Sequence, residues 1–552
     1  MKIALAQINT IIGDLEGNTK KIKEFINKAK EKNADIVVFP EMTITGYPTL
    51  DLWFKKSLIK KNKEKLNEIA DYSIGIYSII GFEDEKDNKL FNAAAVVKDG
   101  KILFIQHKSL LPTYDVFDEA RYFKPAESIG IFKIKGKKIG IQICEDLWDD
   151  DYKIKVTKTQ KELGAEFIIN ISASPFYAGK EYVRDNLLRK RALENKIPIV
   201  YCNLIGAADD IVFDGRSLVC NENGDIVFRG KPFVEDIYFI ETNIFENKHI
   251  PLITIKEDEI FNALVLGTRD YVRKIGFNKI CIGLSGGIDS ALTASIAVEA
   301  LGKENVLGVL MPSKFSSDHS INDAKLLAEN LGINYIIMPI EPIIEENRKL
   351  YNHVFGDYKN KVTDENLQAR ERGKILMQIS NDSGALVLST GNKTELAVGY
   401  CTIYGDMCGG LSVISDVDKL EVYELAKYYN KIKGKEIIPK GSLEKAPSAE
   451  LSQGQKDEDN LPIYKILVPI VNNYIELNLT IDELINLGYD RNLVERIIKM
   501  VDKAEYKRRQ AAPGIKITQK AFGIGRKFPI INKFEEGRWK EDYLLVDFSH
   551  FI

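Results

Sequence analysis

Two groups of residues in this chain have the types and spacing for chemistry. The first is Ser285-Gly286-Gly287-Ile288-Asp289-Ser290, which follows the apolar run 280–284 and precedes a helical pattern over 291–301. A strand that feeds a small-residue turn opening a helix makes an anion site. The first backbone N–H groups of the helix lack partners, and its dipole favours negative charge there. Ser285 and Ser290 offer hydroxyl donors, and Asp289 offers a carboxylate for a divalent cation bridging phosphate oxygens. The turn is not a Walker A loop, because no Gly-Lys-Ser/Thr closes it, and the G-x-G-x-x-G dinucleotide fingerprint is absent. The second group is Glu41, Lys108 and Cys144. Each stands directly after an expected strand, 35–40, 101–106 and 138–143 respectively. A thiol, a carboxylate and an ammonium at one sheet rim suit amide cleavage. Cys144 attacks the carbonyl, Glu41 takes the thiol proton and passes one to leaving ammonia, and Lys108 stabilises the oxyanion.

Elements must bring these residues together. In the first half, short apolar segments at 3–8, 35–40, 167–171 and 199–203 read as strands. Residues 92–97 with 101–106, and 132–134 with 138–143, read as hairpins around Lys98-Asp99-Gly100 and Lys135-Gly136-Lys137. Ile22, Phe25, Ile26 and Ala29 mark one helix face within 18–32. Strands with helices between them indicate a layered α/β sandwich. Periodicity fades over 242–255, near a boundary at about residue 250, and helical spacing resumes from 259 to 274. Strands at 280–284, 306–311, 335–339 and 385–388 then alternate with helices, which implies a doubly wound parallel sheet whose ligands sit beyond the strand ends. Asn366 opens a helix in this reading. Ser389–Glu395 is a second polar turn at the same rim, aiming Thr390 and Glu395 at ligand. Residues 445–464 are too long and polar for a simple connection and read as a lid or a surface loop. Lys507-Arg508-Arg509 offers cations for phosphate or a solvated charge run.

With 552 residues, two domains or more are expected. The balance of 45% apolar and 28% charged residues fits a globular enzyme, and a net charge of −3 gives no general nucleic-acid footprint. Six scattered cysteines without a C-x-x-C pair argue against a zinc site or a disulfide scaffold and point to a reducing compartment. No apolar run approaches a membrane span, and Gln7, Asn9 and Asp14 interrupt any signal-peptide core. A cytoplasmic protein is expected.

Three strings in the first half, F-P-E-M at 39–42, H-K-S-L-L-P-T-Y-D-V-F-D-E-A-R-Y-F at 107–123 and I-C-E-D-L-W at 143–148, resemble the nitrilase family. They resemble in particular its glutamine-hydrolysing branch fused to NAD synthetases. The resemblance covers about residues 1–245. It implies a Glu41-Lys108-Cys144 triad on an αββα sandwich, with Glu119 as a second carboxylate in the glutamine site and Tyr114, Ser174 and Lys180 holding glutamine. The S-G-G-x-D-S turn resembles the PP-loop ATP pyrophosphatases. Together with N-L-Q-A-R-E-R, S-T-G-N-K-T-E, Y-G-D-M, A-E-L-S-Q-G-Q-K-D-E-D-N-L-P, K-R-R-Q-A-A-P-G-I-K and F-G-I-G-R, it makes the rest of the chain similar to the NAD synthetase family.

That second resemblance implies that Gly283, Leu284, Ser285, Gly286, Gly287, Ile288, Asp289 and Ser290, helped by Thr390, hold ATP. Asp289 and Glu395 are the implied Mg²⁺ ligands, and Asn366, Glu395 and Lys507 the implied contacts to deamido-NAD; Glu395 carries both roles. The implied division is a glutamine amidohydrolase domain at 1–245, a linker at 246–261 and a PP-loop synthetase domain at 262–552. The implied reaction is amidation of deamido-NAD to NAD with ammonia from glutamine, through an adenylated nicotinate carboxylate with release of AMP and pyrophosphate. An internal tunnel for ammonia and a homo-oligomer are expected with it. Neither nucleic acid nor membrane is an expected partner. Three rivals follow from the same residues: another carboxylate acceptor, tRNA modification, or one non-catalytic half. The first usually carries a different glutaminase domain, the second needs a basic surface and usually a thiol pair, and the third leaves a complete triad or a complete loop without use.

Overall fold

The computed structural model describes residues 1–246 and 249–536. Residues up to Thr254 form one compact unit, and the described residues from Ile255 onward form a second. The strands of the first unit are, in chain order, β1 (Lys2–Gln7), β2 (Ile36–Val38), β3 (Tyr77–Lys86), β4 (Lys89–Lys98), β5 (Lys101–His107), β6 (Ile131–Ile134), β7 (Lys137–Ile143), β8 (Phe167–Ser172), β9 (Ile199–Asn203), β10 (Ile205–Ala208), β11 (Ile211–Asp214), β12 (Leu218–Cys220), β13 (Ile226–Arg229) and β14 (Asp236–Glu241). One six-stranded sheet runs β14-β1-β2-β3-β4-β5 and the other β13-β12-β9-β8-β7-β6.

Strand alternation builds the layers. Ile3 and Leu5 of β1 meet Ile139, Ile141 and Ile143 of β7 and Ile169 and Ile171 of β8 in the core between the sheets. Ala4 and Ala6 face the other way, onto Ile22, Phe25 and Ile26 of helix Leu15–Glu31 and Leu66 and Ile69 of helix Lys56–Tyr72. On the far side, Ile168 and Tyr201 pack against Leu187, Leu188 and Ala192 of helix Lys180–Asn195. A period of two for strands and one apolar stripe for helices thus give an αββα sandwich. The two expected hairpins form. Their turns have positive φ at both central residues (Asp99 +49° and Gly100 +77°; Lys135 +47° and Gly136 +87°), the backbone that matches strand twist.

The second unit opens with helix Lys256–Lys274, which begins before residue 262. Its sheet contains β15 (Ile280–Gly283), β16 (Val306–Leu310), β17 (Asn334–Ile337), β18 (Leu386–Ser389) and β19 (Leu411–Ser412). All are parallel, in the order β17-β16-β15-β18-β19. The chain winds outward from β15 in one direction and returns to its other side with β18. The turns after these two strands therefore diverge and leave a crevice between them. Asn366 does not open its helix: the helix runs Lys361–Ser383 and is started by Asn360, whose side chain accepts the Val362 N–H. Helices Tyr464–Glu476, Ile481–Asn486 and Arg491–Lys503 share a separate apolar cluster.

Candidate active sites

In the first unit, Glu41, Lys108 and Cys144 follow β2, β5 and β7 at one end of the sandwich. Lys108 Nζ donates to Glu41 Oε1 (2.8 Å) and to both oxygens of Glu119 (2.8 and 2.9 Å). The amide of Asn92, on β4, donates to Glu41 Oε1 (2.7 Å) and Glu119 Oε2 (3.3 Å). The Ala173 N–H holds Glu41 Oε2 (2.9 Å), and the Tyr47 hydroxyl donates to Glu119 (3.2 Å). All of these side chains are buried. Burial opposes the Lys108 charge, but the Glu119 and Glu41 carboxylates outweigh it and hold the ammonium well above its ordinary range. Burial pushes Glu119 up, against the pull of Lys108.

Cys144 begins the short 3₁₀ turn Cys144–Leu147 with φ of +37°, a left-handed backbone that a non-glycine residue adopts only under constraint. Burial, then Glu41, pushes its thiol well up, with Lys108 pulling the other way. Of the expected glutamine contacts, the Tyr114 hydroxyl donates to Glu145 (3.0 Å), next to Cys144. The Ser174 N–H donates to Asn203 (3.0 Å), one residue from the peptide that holds Glu41. Lys180 Nζ lies 4.0 Å from the centre of the Trp148 ring and 5.1 Å from that of Tyr177. Burial lifts Glu145 to about 7, although Lys108 and the hydroxyls of Tyr114 and Tyr152 pull it down.

The second unit holds a cavity of about 610 Å³ at the crevice between β15 and β18. Gly283, Leu284, Ser285, Gly287, Ile288, Asp289 and Ser290 line it, and so do Asn366, Thr390, Glu395 and Lys507. Gly286 alone of the loop stays out of the wall. Its φ is +78°, and a Cβ there would lie 2.2 Å from the Ser320 carbonyl oxygen. The following helix starts at Ile288, so Asp289 and Ser290 occupy its first turn, where N–H groups point out unpaired. The two loop serines are engaged with the loop itself. Their hydroxyls lie 3.1 Å apart, Ser290 donates to the Gly287 carbonyl, and the Gly287 N–H donates to Ser285.

Asp289 and Glu395 meet at one cation: Lys419 Nζ donates to both. Asn392 donates to Asp289 (2.9 Å) and caps the helix carrying Glu395. Burial raises Glu395 to about 7, with Lys419 opposing and Asp289 reinforcing. Two carboxylates converging beside a phosphate-type loop form an oxygen-only donor set that suits Mg²⁺. No cluster of three His, Cys, Asp or Glu side chains able to hold a metal occurs among the described residues, so an ion here would take its other ligands from phosphate and water. Lys507 Nζ donates to the carbonyls of Gly399 (2.7 Å) and Cys401 (2.8 Å), and Asn366 accepts the Thr402 hydroxyl (2.8 Å).

Other parts of the reading resolve differently. Arg508 is committed to Glu505 and to the carbonyls of Leu396 and Ala397, and Arg509 to Glu505 and the Phe528 carbonyl, so only Lys507 of that run reaches the cavity. Lys393, in the Gly-Asn-Lys-Thr string, turns away to Asp416 and Glu476. Residues 445–451 with Gln455, Asp457 and Asn460 line the cavity. Periodicity did not mark Asn92, Asn392, Lys419 or Arg372. Lys419 left one usable signal: it is a lysine in the first turn of a helix, where the dipole disfavours a cation unless carboxylates face it. Arg372 lines the cavity with its Nε on the Met311 carbonyl, and burial lowers its guanidinium to about 10.

With this geometry in view, residues 2–243 match the model of the carbon-nitrogen hydrolase family and residues 260–511 that of NAD synthase. The chain is 43% identical to a glutamine-dependent NAD(+) synthetase of Thermotoga maritima, over 97% of this chain and 99% of the relative. It is 44% identical to a protein of the same name from Synechocystis, over 96% and 99%. Among solved structures, it is similar to a glutamine-dependent NAD+ synthetase of Acinetobacter baumannii in complex with ADP. That match has a TM-score of 0.78 and 40% identity, covering 96% of this chain and 98% of that one.

Proposed function

The chain belongs to the glutamine-dependent NAD(+) synthetases, enzymes that amidate deamido-NAD with nitrogen from glutamine and use ATP as co-substrate, and on that premise we propose how its own residues divide the work. Residues 1–245 act as the glutaminase and residues 262–552 as the synthetase. Cys144 is the nucleophile. Glu41 takes the thiol proton as sulfur attacks the glutamine amide carbon, Lys108 stabilises the oxyanion, and Glu41 returns the proton to ammonia as the C–N bond breaks. Water then hydrolyses the thioester to glutamate. Glu119 and Asn92 hold Lys108 and Glu41 in register, and Tyr114, Ser174 and Lys180 bind glutamine.

In the synthetase half, a nicotinate carboxylate oxygen attacks the α-phosphorus of ATP. Pyrophosphate leaves and an acyl adenylate forms. Ammonia attacks the acyl carbon and AMP departs, leaving the amide. The residues from Gly283 to Ser290 and Thr390 hold ATP, and Asn366 and Lys507 hold deamido-NAD. Mg²⁺ at Asp289 and Glu395 supplies charge neutralisation on the phosphate oxygens when bound. Lys419 bridges Asp289 and Glu395, so Glu395 stands beside the other proposed metal ligand and is assigned to the metal on that juxtaposition.

The observation that carries this reading is the single cavity lined by the 283–290 turn together with Asn366, Thr390, Glu395 and Lys507, residues spread over more than two hundred positions. Its test follows NAD formation from ATP, Mg²⁺ and deamido-NAD with glutamine or ammonium, in the native chain and in Cys144→Ala. The native chain uses both nitrogen sources, and the variant uses ammonium alone. Continued use of glutamine by the variant removes Cys144 from the mechanism. Glutamine hydrolysis without NAD from either source removes deamido-NAD as the acceptor.

A further inference from the structure

Lys108 follows β5 of one sheet and Cys144 follows β7 of the other, so no backbone ladder ties the two to each other. The register of ammonium against thiol must be set by cross-links between the sheets. One is Glu41 itself, which receives the Ala173 N–H from the end of β8. Tyr114 on Glu145 is a second, at the half-exposed mouth, and the third, which is buried, is Asp146, in the turn opened by Cys144. Its Oδ1 accepts the N–H groups of Ser109 (2.9 Å) and Leu110 (3.1 Å), the two residues after Lys108. Its Oδ2 accepts the N–H of Ile143 (3.0 Å), the residue before Cys144. The side chain is 1% exposed, so water cannot replace these bonds.

We infer that Asp146 is a positioning residue for amide hydrolysis: its carboxylate clamps the segment carrying Lys108 onto the segment carrying Cys144. This rests on the assignment of Cys144 as nucleophile. The clamp touches neither glutamine nor the reacting atoms; it acts through the placement of two groups that do. Each segment has a further anchor within its own side of the sandwich. Lys108 N–H donates to the Asn92 carbonyl (2.8 Å), and Arg191 Nε donates to the Leu147 carbonyl (2.8 Å). Loss of Asp146 therefore loosens the distance between the segments while leaving each one seated. Its geometry also separates two substitutions. Asparagine keeps one oxygen for Ser109 and Leu110 but faces the Ile143 N–H with another donor, whereas alanine removes both arms.

The test uses the full chain, with Asp146→Asn, Asp146→Ala and Cys144→Ala beside the native protein. A glutamine-mimicking diazoketone that alkylates the active cysteine counts competent sites. Glutamine-dependent ammonia release is then expressed per counted site, and ammonium-dependent NAD formation reports the synthetase half. Misplacement of reacting groups by about 1 Å costs roughly a hundredfold, so kcat per counted site falls about a hundredfold in Asp146→Ala and about tenfold in Asp146→Asn. KM for glutamine and the ammonium-dependent rate stay within about threefold of native, because ground-state binding is untouched. A purely structural role predicts fewer counted sites, each turning over at the native rate. That result overturns the inference, as does a loss carried by KM or the absence of counted sites in both variants. Glutamine hydrolysis by Cys144→Ala overturns the nucleophile assignment instead, whatever the Asp146 variants do.

Discussion

Asn92 serves two carboxylates with one amide group, and that makes it informative. Glu41 and Glu119 share a single cation, Lys108, and all three side chains are buried. Removing the Asn92 amide leaves both carboxylates one donor short. A buried acceptor left short costs about 1–3 kcal/mol, or roughly 5- to 160-fold in rate if the transition state bears it. Asn92→Ala should lower glutamine-dependent kcat by that range and leave ammonium-dependent NAD formation unchanged, which steady-state assays with each nitrogen source will show. Glu395 gives a prediction in pH. Burial raises it to about 7, whereas an unfolded glutamate titrates near 4.3. The folded state holds this proton more tightly, so the stability Glu395 contributes is fully present below about pH 4 and is lost as pH rises through about 7. The ligand-free melting transition of the second unit should therefore fall between pH 6 and pH 8. Glu395→Gln, which cannot titrate, should make that fall shallower. An equally steep fall in the variant assigns the effect to other groups.

Strands and turns act as the mounts of these residues, and two glycines mark where a mount has no spare room. Gly81 lies on β3 beside the turn that carries Glu41. A Cβ there would stand 2.2 Å from the Pro40 carbonyl oxygen and 2.5 Å from the Met42 nitrogen, both backbone atoms. Gly81→Ala must push the Glu41 peptide aside, because neither neighbour can rotate away. Gly286→Ala meets the Ser320 carbonyl in the same manner and adds a positive φ. The two substitutions should separate the activities. Gly81→Ala loses glutamine-dependent synthesis by about a hundredfold or more and retains the ammonium-dependent reaction, whereas Gly286→Ala loses both. Equal loss of both activities in Gly81→Ala would show a defect that spreads beyond the Glu41 turn.

The two units were legible in the sequence to the extent that local pattern decides structure. Hairpin turns at Lys98-Asp99-Gly100 and Lys135-Gly136-Lys137, apolar runs at 35–40, 167–171 and 280–284, and the Gly-rich turn after the last of them marked the strands whose ends bear Glu41, Lys108, Cys144 and the 285–290 turn. What remained hidden depends on long-range partners. β3, for which no strand was expected from the sequence, closes in the charged stretch Phe-Glu-Asp-Glu-Lys, yet Glu83 is buried with its carboxyl on the Thr45 hydroxyl. Lys419 takes its role only from Asp289, 130 positions earlier, which faces it in the fold. Each unit has its own apolar clusters, so each should answer to its own ligand. A ligand at a hundred times its Kd stabilises the fold that binds it by about 2.7 kcal/mol, several degrees for a domain of this size. ATP with Mg²⁺ should shift the melting of the second unit by that amount and leave that of the first unchanged; scanning calorimetry on native protein and Gly286→Ala will show whether the shift needs the 285–290 turn. On the proposed placement, a triphosphate without metal would confront the carboxylates of Asp289 and Glu395, with which Lys419 alone pairs among the described residues. Chelation with EDTA should therefore reduce the ATP shift to a small fraction, and Asp289→Asn, which removes one of the opposing charges, should partly restore ATP binding without metal. An ATP shift that EDTA leaves intact would move the metal away from these two carboxylates.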